Sequence, residues 1–344
     1  MEWTVAIGVD THKRTHTAVA LDRVGVQVAS CEVEATSAGY AQLLAWASEL
    51  GEPAFALEGT GSYGAGLASL LVAVGLPVCE VERPRRRERR RGKNDLIDAA
   101  RAAGRLLSGE GLSALRGGNP AREDLRLLLL ERRSAVRART AALNQVHAVL
   151  LTAPARLRER LDALRGEKLA DRCARLRPRD ESERVLVSVL NRLAVRARLL
   201  ARELAQLESE LERIVSTLVP ELLAECGVGP VCAAQLVVSS GDPERMRNDA
   251  SFAALAGTSP VEASSGASRR HRLNRGGDRQ LNAALHVIAR TRLRCHPETR
   301  AYRDRLLARG KSKREAMRCV KRQLARHCYR LLVANPALAG PLTT

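Results

Sequence analysis

The first third of the chain is built from short apolar runs separated by polar pairs. Val5, Ala6, Ile7, Gly8 and Val9 form one such run, and residues 17–21 and 26–33 form two more. Each is too short for a helix and rich in β-branched residues, which predicts three strands of a meander. Residues 37–50 change to helical spacing, and the apolar run 54–57 returns to strand character. The glycine-rich stretch from Gly59 to Gly64 predicts a turn, followed by a helix over 65–74 and a fifth strand over 77–81. A three-strand meander followed by alternating helix and strand suits a ribonuclease-H-like sheet, in which the first and fourth strands lie side by side.

Farther along the period changes. Residues 121–151 read as one long helix, and residues 183–218 as a second. In the second, Leu186, Leu190, Leu193, Ala197, Leu200, Leu204, Leu207, Leu211, Ile214 and Leu218 alternate spacings of four and three. That heptad seam predicts either a coiled coil between chains or an antiparallel helical hairpin within one. Pro220 ends the helix. A third, compact helical region begins at Glu225, where Gly227 and Gly229 permit a tight turn before a helix, as in helix-hairpin-helix elements. A plain turn between helices explains the same glycines equally well. The expected fold class is α/β plus all-α: a nuclease-like domain over 1–115, a helical coiled-coil domain over 116–220 and a small helical domain over 221–335.

Charge sharpens this division. The 344 residues carry 57 Lys and Arg against 38 Asp and Glu, a net charge of +19. Residues 1–60 hold three basic against eight acidic side chains, whereas residues 266–330 hold twenty against four. Acid at one end suits catalysis, and base at the other suits a grip on a polyanion. Aromatic residues make up only 2% of the chain, so stacking on bases is not the main mode of recognition. The eight cysteines include no C-x-x-C pair, which predicts neither a zinc ribbon nor a disulfide framework. No run approaches membrane-spanning length and no export signal is read, so a reduced, cytoplasmic, nucleoid-associated protein is expected.

Four carboxylates carry the candidate chemistry. Asp10 ends the first strand, Glu58 ends the fourth, and Asp95 and Asp98 stand three residues apart on one face of a predicted helix. Singly such residues are commonplace turns or caps. Together they offer the hard oxygen ligands of a magnesium site that works on phosphate. Directly before Asp95 lies the densest basic run, with Arg85, Arg86, Arg87, Arg89, Arg90, Arg91 and Lys93, placed to lead a nucleic-acid backbone to the acids. A solvated charge run is the plainer reading. His12 and His16 flank Asp10; His12 is read as a solvent-facing residue, with proton transfer as the alternative.

The settings of these acids, Gly8-Val-Asp-Thr-His-Lys13, Leu57-Glu-Gly-Thr-Gly-Ser-Tyr63 and Lys93-Asn-Asp-Leu-Ile-Asp-Ala99, resemble the DEDD transposases of insertion sequences. These are also called IS-one-ten transposases or bridge-RNA-guided recombinases, and their nuclease domain is similar to the RuvC resolvase. The resemblance continues through residues 255–266 and 275–281. Asn94 stands where that family often has a small hydroxyl residue, and Gly277-Asp278 where it often has Gly-Asn. The resemblance implies a metal-binding tetrad of Asp10, Glu58, Asp95 and Asp98 holding two Mg²⁺ ions, and Ser265 as nucleophile, with Ser264 a competing hydroxyl. Arg269, Arg270, Arg272 and Arg275 follow closely and suit a scissile phosphate. It further implies donor and target DNA, a structured guide RNA and a homo-oligomer, dimer or tetramer, in which the acids and the serine combine across subunits.

Three rivals are weighed against that reading. A junction resolvase would use the same acids with water as nucleophile. A sugar-kinase-like or actin-like ATPase would share the Gly8-Val-Asp10 hairpin, and a nucleic-acid-binding protein would keep the fold without catalysis.

Overall fold

Along the first strand Val5, Ile7 and Val9 point to one side and Ala6, Gly8 and Asp10 to the other, and both sides are covered. The computed structural model describes residues 3–81, 94–113, 115, 119–241, 246, 248–262, 271–272, 274 and 276–338. In chain order the N-terminal elements are β1 (Val5–Thr11), β2 (Thr15–Leu21), β3 (Gln27–Glu34), α1 (Ser37–Glu49), β4 (Pro53–Glu58), α2 (Ala65–Ala73), β5 (Val78–Val81), α3 (Asp95–Ser108) and β6 (Leu112–Ser113). The five strands expected from the apolar runs are all present. With the short β6, which the apolar runs did not predict, they form one six-stranded sheet in the order β3-β2-β1-β4-β5-β6. β1 is antiparallel to β2 and parallel to β4, with Val9 opposite Leu57.

The two faces of the sheet are packed differently. Val5, Ile7, Val9, Phe55 and Leu57 meet Leu43 and Ala47 of α1 and Leu67 and Leu71 of α2 in a core of large side chains. On the opposite face Ala6, Val19 and Leu21 meet Ala99 and Ala103 of α3, and Ala56 and Val81 meet Ala102. Small residues let α3 come close. At Gly8 the approach is closest, since a Cβ there would overlap the Ala99 carbonyl oxygen and the Ala103 nitrogen of α3. Side-chain parity therefore places Asp10 and Glu58 on the α3 face.

The remaining elements are α4 (Pro120–Leu151), α5 (Ala155–Leu161), α6 (Gly166–Cys173), α7 (Arg184–Leu218), α8 (Pro220–Ala224), α9 (Pro230–Ser240), α10 (Asp249–Leu255), β7 (Val261–Glu262), β8 (His271–Arg272), α11 (Arg279–Cys295), α12 (Pro297–Ala308) and α13 (Lys313–Val333). The chain divides into two compact units, one of Met1–Glu123, Ser240–Ala254 and Tyr329–Thr344, the other of Asp124–Ser239 and Leu255–Cys328.

In the second unit α4 and α7 form an antiparallel hairpin. Ala142, Val146 and Leu150 of α4 share a core with Val187, Leu190, Ala194 and Ala197 of α7, and Arg132 pairs with Glu208 at 2.6 Å. Leu157 and Leu161 of α5 and Leu169 and Cys173 of α6 complete that core. The buried stripe of α7 is not quite the expected seam. Leu190, Ala197, Leu207, Leu211 and Leu218 are buried as the heptads predict, but Val187, Ala194 and Val215 are buried too, while Leu186, Leu193, Leu200, Leu204 and Ile214 are half-buried. A helix that packs on α4 along one side and on α6 along another buries a wider stripe than a two-stranded seam. Gly227 has φ +84°, and a Cβ there would lie 3.2 Å from Thr291 and Arg292, so close packing on α11 accounts for this glycine.

Candidate metal centre

Three elements bring the site together. β1 and β4 run parallel and end side by side, so Asp10 and Glu58 occupy adjacent strand ends on one face. The chain then turns away sharply through Gly59, at φ +77°, whose carbonyl accepts from the amides of Ser62 and Gly64. α3 enters from above. Asn94 caps it by accepting from the Leu96 amide at 3.1 Å, which sets Asp95 and Asp98 in its first turn, where the positive end of the helix dipole favours carboxylates.

His12, read from the sequence as solvent-facing, keeps 41% of its side chain exposed but turns its ring nitrogen toward the acids. His12 Nε2 lies 3.3 Å from Asp10 Oδ2 and 3.3 Å from Asp95 Oδ2, and the ligand atoms of the three residues fall within 4.8 Å of one another. That nitrogen is buried and makes no hydrogen bond of acceptable geometry. Neighbouring ligands on a small octahedral cation with bonds of about 2.1 Å stand about 3.0 Å apart, so shifts of a few tenths of an ångström would seat an ion between these atoms. The donor set fits a divalent metal.

The other two acids are placed less directly. Glu58 is half-buried beside Asp10, and its backbone carbonyl accepts from the Thr11 hydroxyl at 2.7 Å. Asp98 is held by Arg101 at 2.9 Å, so its charge is already partly matched within the helix. Burial pushes the Asp10 carboxyl above its ordinary range; His12 opposes this, and the charges of Asp95 and Asp98 add to it. Crowding of acids is what a bound cation relieves.

His16 does something else. It sits on the opposite face of the sheet, fully buried and stacked on Tyr40 with ring centroids 5.6 Å apart. Its Nδ1 lies 2.9 Å from the Thr15 carbonyl, and burial lowers its pKa, so it is a neutral packing residue.

Several expected site residues fall outside the described residues: Ser264 and Ser265, Arg85, Arg86, Arg87, Arg89, Arg90, Arg91 and Lys93, and Arg269, Arg270 and Arg275. Arg272 contributes its backbone to β8, and its side chain is outside the description.

Comparison with known proteins decides the family. Residues 7–153 match the model of the DEDD transposases of IS110, and residues 221–304 match that of the IS116/IS110/IS902 transposase family. The chain belongs to the IS110 family of transposases. The first IS110 match contains Asp10, His12, Glu58, Asp95 and Asp98; the second contains Ser264 and Ser265. A relative in Streptomyces coelicolor, described as the insertion element IS110 uncharacterized 43.6 kDa protein, is 36% identical over 120 residues. That stretch is 34% of this IS110-family chain and 30% of the relative, so the chain spans less than a third of that protein's length. Among the described residues no helix is long and apolar enough to cross a membrane.

Proposed function

We propose that this chain cuts and rejoins DNA strands as the transposase of an insertion element, through a metal-binding acidic centre in a RuvC-like domain and a serine nucleophile in its C-terminal half. The observation that carries this reading is the convergence of Asp10, His12 and Asp95 within 4.8 Å on the α3 face, with Glu58 on the neighbouring strand end and Asp98 one turn along α3. The sheet order supports a ribonuclease-H-like frame, because a central β1 parallel to β4 and antiparallel to β2 is the arrangement expected of that architecture. Asp10, His12 and Asp95, joined by Glu58 and Asp98, would hold one or two Mg²⁺ ions. Such ions, when bound, polarise a phosphoryl oxygen and stabilise the charge that develops on it.

The rest is work for the chain's own groups. The acids would hold the ions in place and so set where the scissile phosphate sits. The Ser265 hydroxyl oxygen forms a bond to phosphorus and gives up its proton, the phosphorus bond to the departing sugar oxygen breaks, and that oxygen takes up a proton. The serine ester keeps the energy of the phosphodiester, so the reverse attack by another strand's hydroxyl rejoins DNA without a nucleotide cofactor. Arg269, Arg270, Arg272 and Arg275 lie close to Ser265 in sequence and supply charge to hold the phosphate. Target choice by a structured guide RNA, and assembly into a dimer or tetramer that joins the acids of one subunit to the serine of another, complete the proposal. The low aromatic content supports delegation of sequence reading to base pairing.

A covalent adduct tests the reading. Wild-type protein, Asp10→Ala and Ser265→Ala are incubated with DNA, Mg²⁺ and the RNA that co-purifies with the wild type, then trapped by denaturation and the linked peptide mapped. An adduct on Ser265 that is lost in both variants is expected. Cleavage without any adduct would favour water as nucleophile, as in a resolvase, and a link on Ser264 would move the nucleophile by one residue.

A further inference from the structure

A second site lies wholly within the other unit, where α11 and α13 flank a cavity of about 380 Å³. Lys321 forms part of its lining although only 9% of its surface is exposed. Its ammonium donates to the Asn282 side-chain oxygen at 2.7 Å, and the Asn282 amide nitrogen in turn donates to the Ala256 carbonyl at 2.6 Å. Among the described residues no carboxylate pairs with Lys321. Asp278 lines the same cavity, but its Oδ1 already accepts from the amides of Gln280 at 2.7 Å and Leu281 at 3.1 Å, and its Oδ2 accepts from the Ser239 hydroxyl. Arg279 and His286, two turns apart on one face of α11, also line it and are exposed. The charges that act on these two groups are positive: Arg318 on Lys321, and Lys321 and Arg290 on His286.

A buried ammonium has three hydrogens to place, and a neutral amide oxygen takes one. A buried cation without a counter-charge is costly, and the cost is removed by an anion with several acceptor oxygens. A cavity of this size admits a nucleotide unit. We propose that this cavity is a phosphate-binding pocket, in which Lys321 and Arg279 hold one backbone phosphate of a nucleic-acid strand while His286 borders it. Residues 266–330, which include both cations, hold twenty basic against four acidic side chains, a balance that suits a polyanion. The proposal rests on the reading of this protein as one that handles nucleic acid, and is independent of the Asp10 centre.

The test is binding of the full chain to a short DNA duplex, measured against salt in buffer with a metal chelator, so that cleavage plays no part. Lys321→Met and Arg279→Gln should each lower the slope of log affinity against log salt by about one, and weaken binding roughly fivefold at 0.15 M salt. Lys321→Arg should restore most of the slope. Because Lys321→Met removes an unpaired buried charge, it should melt no lower than the wild type. Arg279 is exposed, so Arg279→Gln keeps the test informative whatever Lys321→Met does to folding. An unchanged slope in Arg279→Gln, or in a folded Lys321→Met, overturns the proposal. So does a pocket that takes only free anion: inorganic phosphate raising the wild-type melting temperature, with the DNA slope untouched by either variant. Loss of slope in these variants of a protein that never cleaves DNA would leave the pocket standing and sink the transposase mechanism instead.

Discussion

Gly8 shows how a single residue sets the centre. It lies two positions before Asp10 on the same face of β1, and α3 rests on it backbone to backbone. Gly8→Ala should push α3 outward and separate Asp95 from Asp10 and His12. The expected cost is about 1–3 kcal/mol of stability from overpacking, and Mn²⁺, which should raise the melting temperature of the wild type, should raise that of the variant far less. A variant that keeps the full Mn²⁺ shift would show that α3 does not position the site. The placement of Asp10 and Glu58 was legible in the sequence because each closes an apolar run inside a strand, where alternation fixes the direction of the side chain. His12 was not. It lies just past β1, where the hairpin closed by the His12 amide on the Thr15 carbonyl at 3.1 Å, rather than strand alternation, decides where the ring goes.

Elements are anchored by polar ties as well as by apolar faces. Glu183 precedes the first residue of α7, is buried, accepts from Arg156 of α5 at 2.8 Å and from the Arg179 amide at 3.0 Å, and so joins the start of a 35-residue helix to its neighbours. The Arg156 hydrogen bond, followed by that from the Arg179 amide, holds its carboxyl below the ordinary glutamate value. A lowered folded-state pKa means that this contribution is present above the unfolded value near 4.5 and is lost as pH falls through the folded value. Glu183→Gln should therefore lower the melting temperature at neutral pH, and the gap to the wild type should close below the glutamate range. A gap that stays constant down to that acidity would show that the charge is not what matters. The heptads of α7 predicted a long helix with an apolar stripe, and that much was legible. What periodicity does not encode is how many partners share the stripe, and so Val187, Ala194 and Val215 were missed.

At the scale of the molecule the decisive pattern is the separation of charge, acid near the N-terminus and base toward the C-terminus. Composition reveals this directly, because a sum over residues needs no geometry. The Lys321 pocket was not legible, since it depends on α11 and α13 meeting around Asn282, a long-range contact between residues 39 apart. The basic run before α3 carries its own expectation. Replacing Arg85, Arg86, Arg87, Arg89, Arg90 and Arg91 by Gln should flatten the salt dependence of DNA binding by up to about five units of slope if every side chain meets a phosphate. Binding titrations at graded salt measure this, and an unaltered slope would assign the run to solvated surface.

The seat of α3 on Gly8 also has a consequence in time. Asp95 follows Asp10 by 85 residues, which a ribosome working at about 5–20 residues per second needs roughly 4–17 s to add. Through that interval Ala6, Val19 and Leu21 await the helix that buries them, and the two aspartates cannot meet. The nascent chain is therefore sticky before it is competent, and one event, the arrival of α3, ends both conditions.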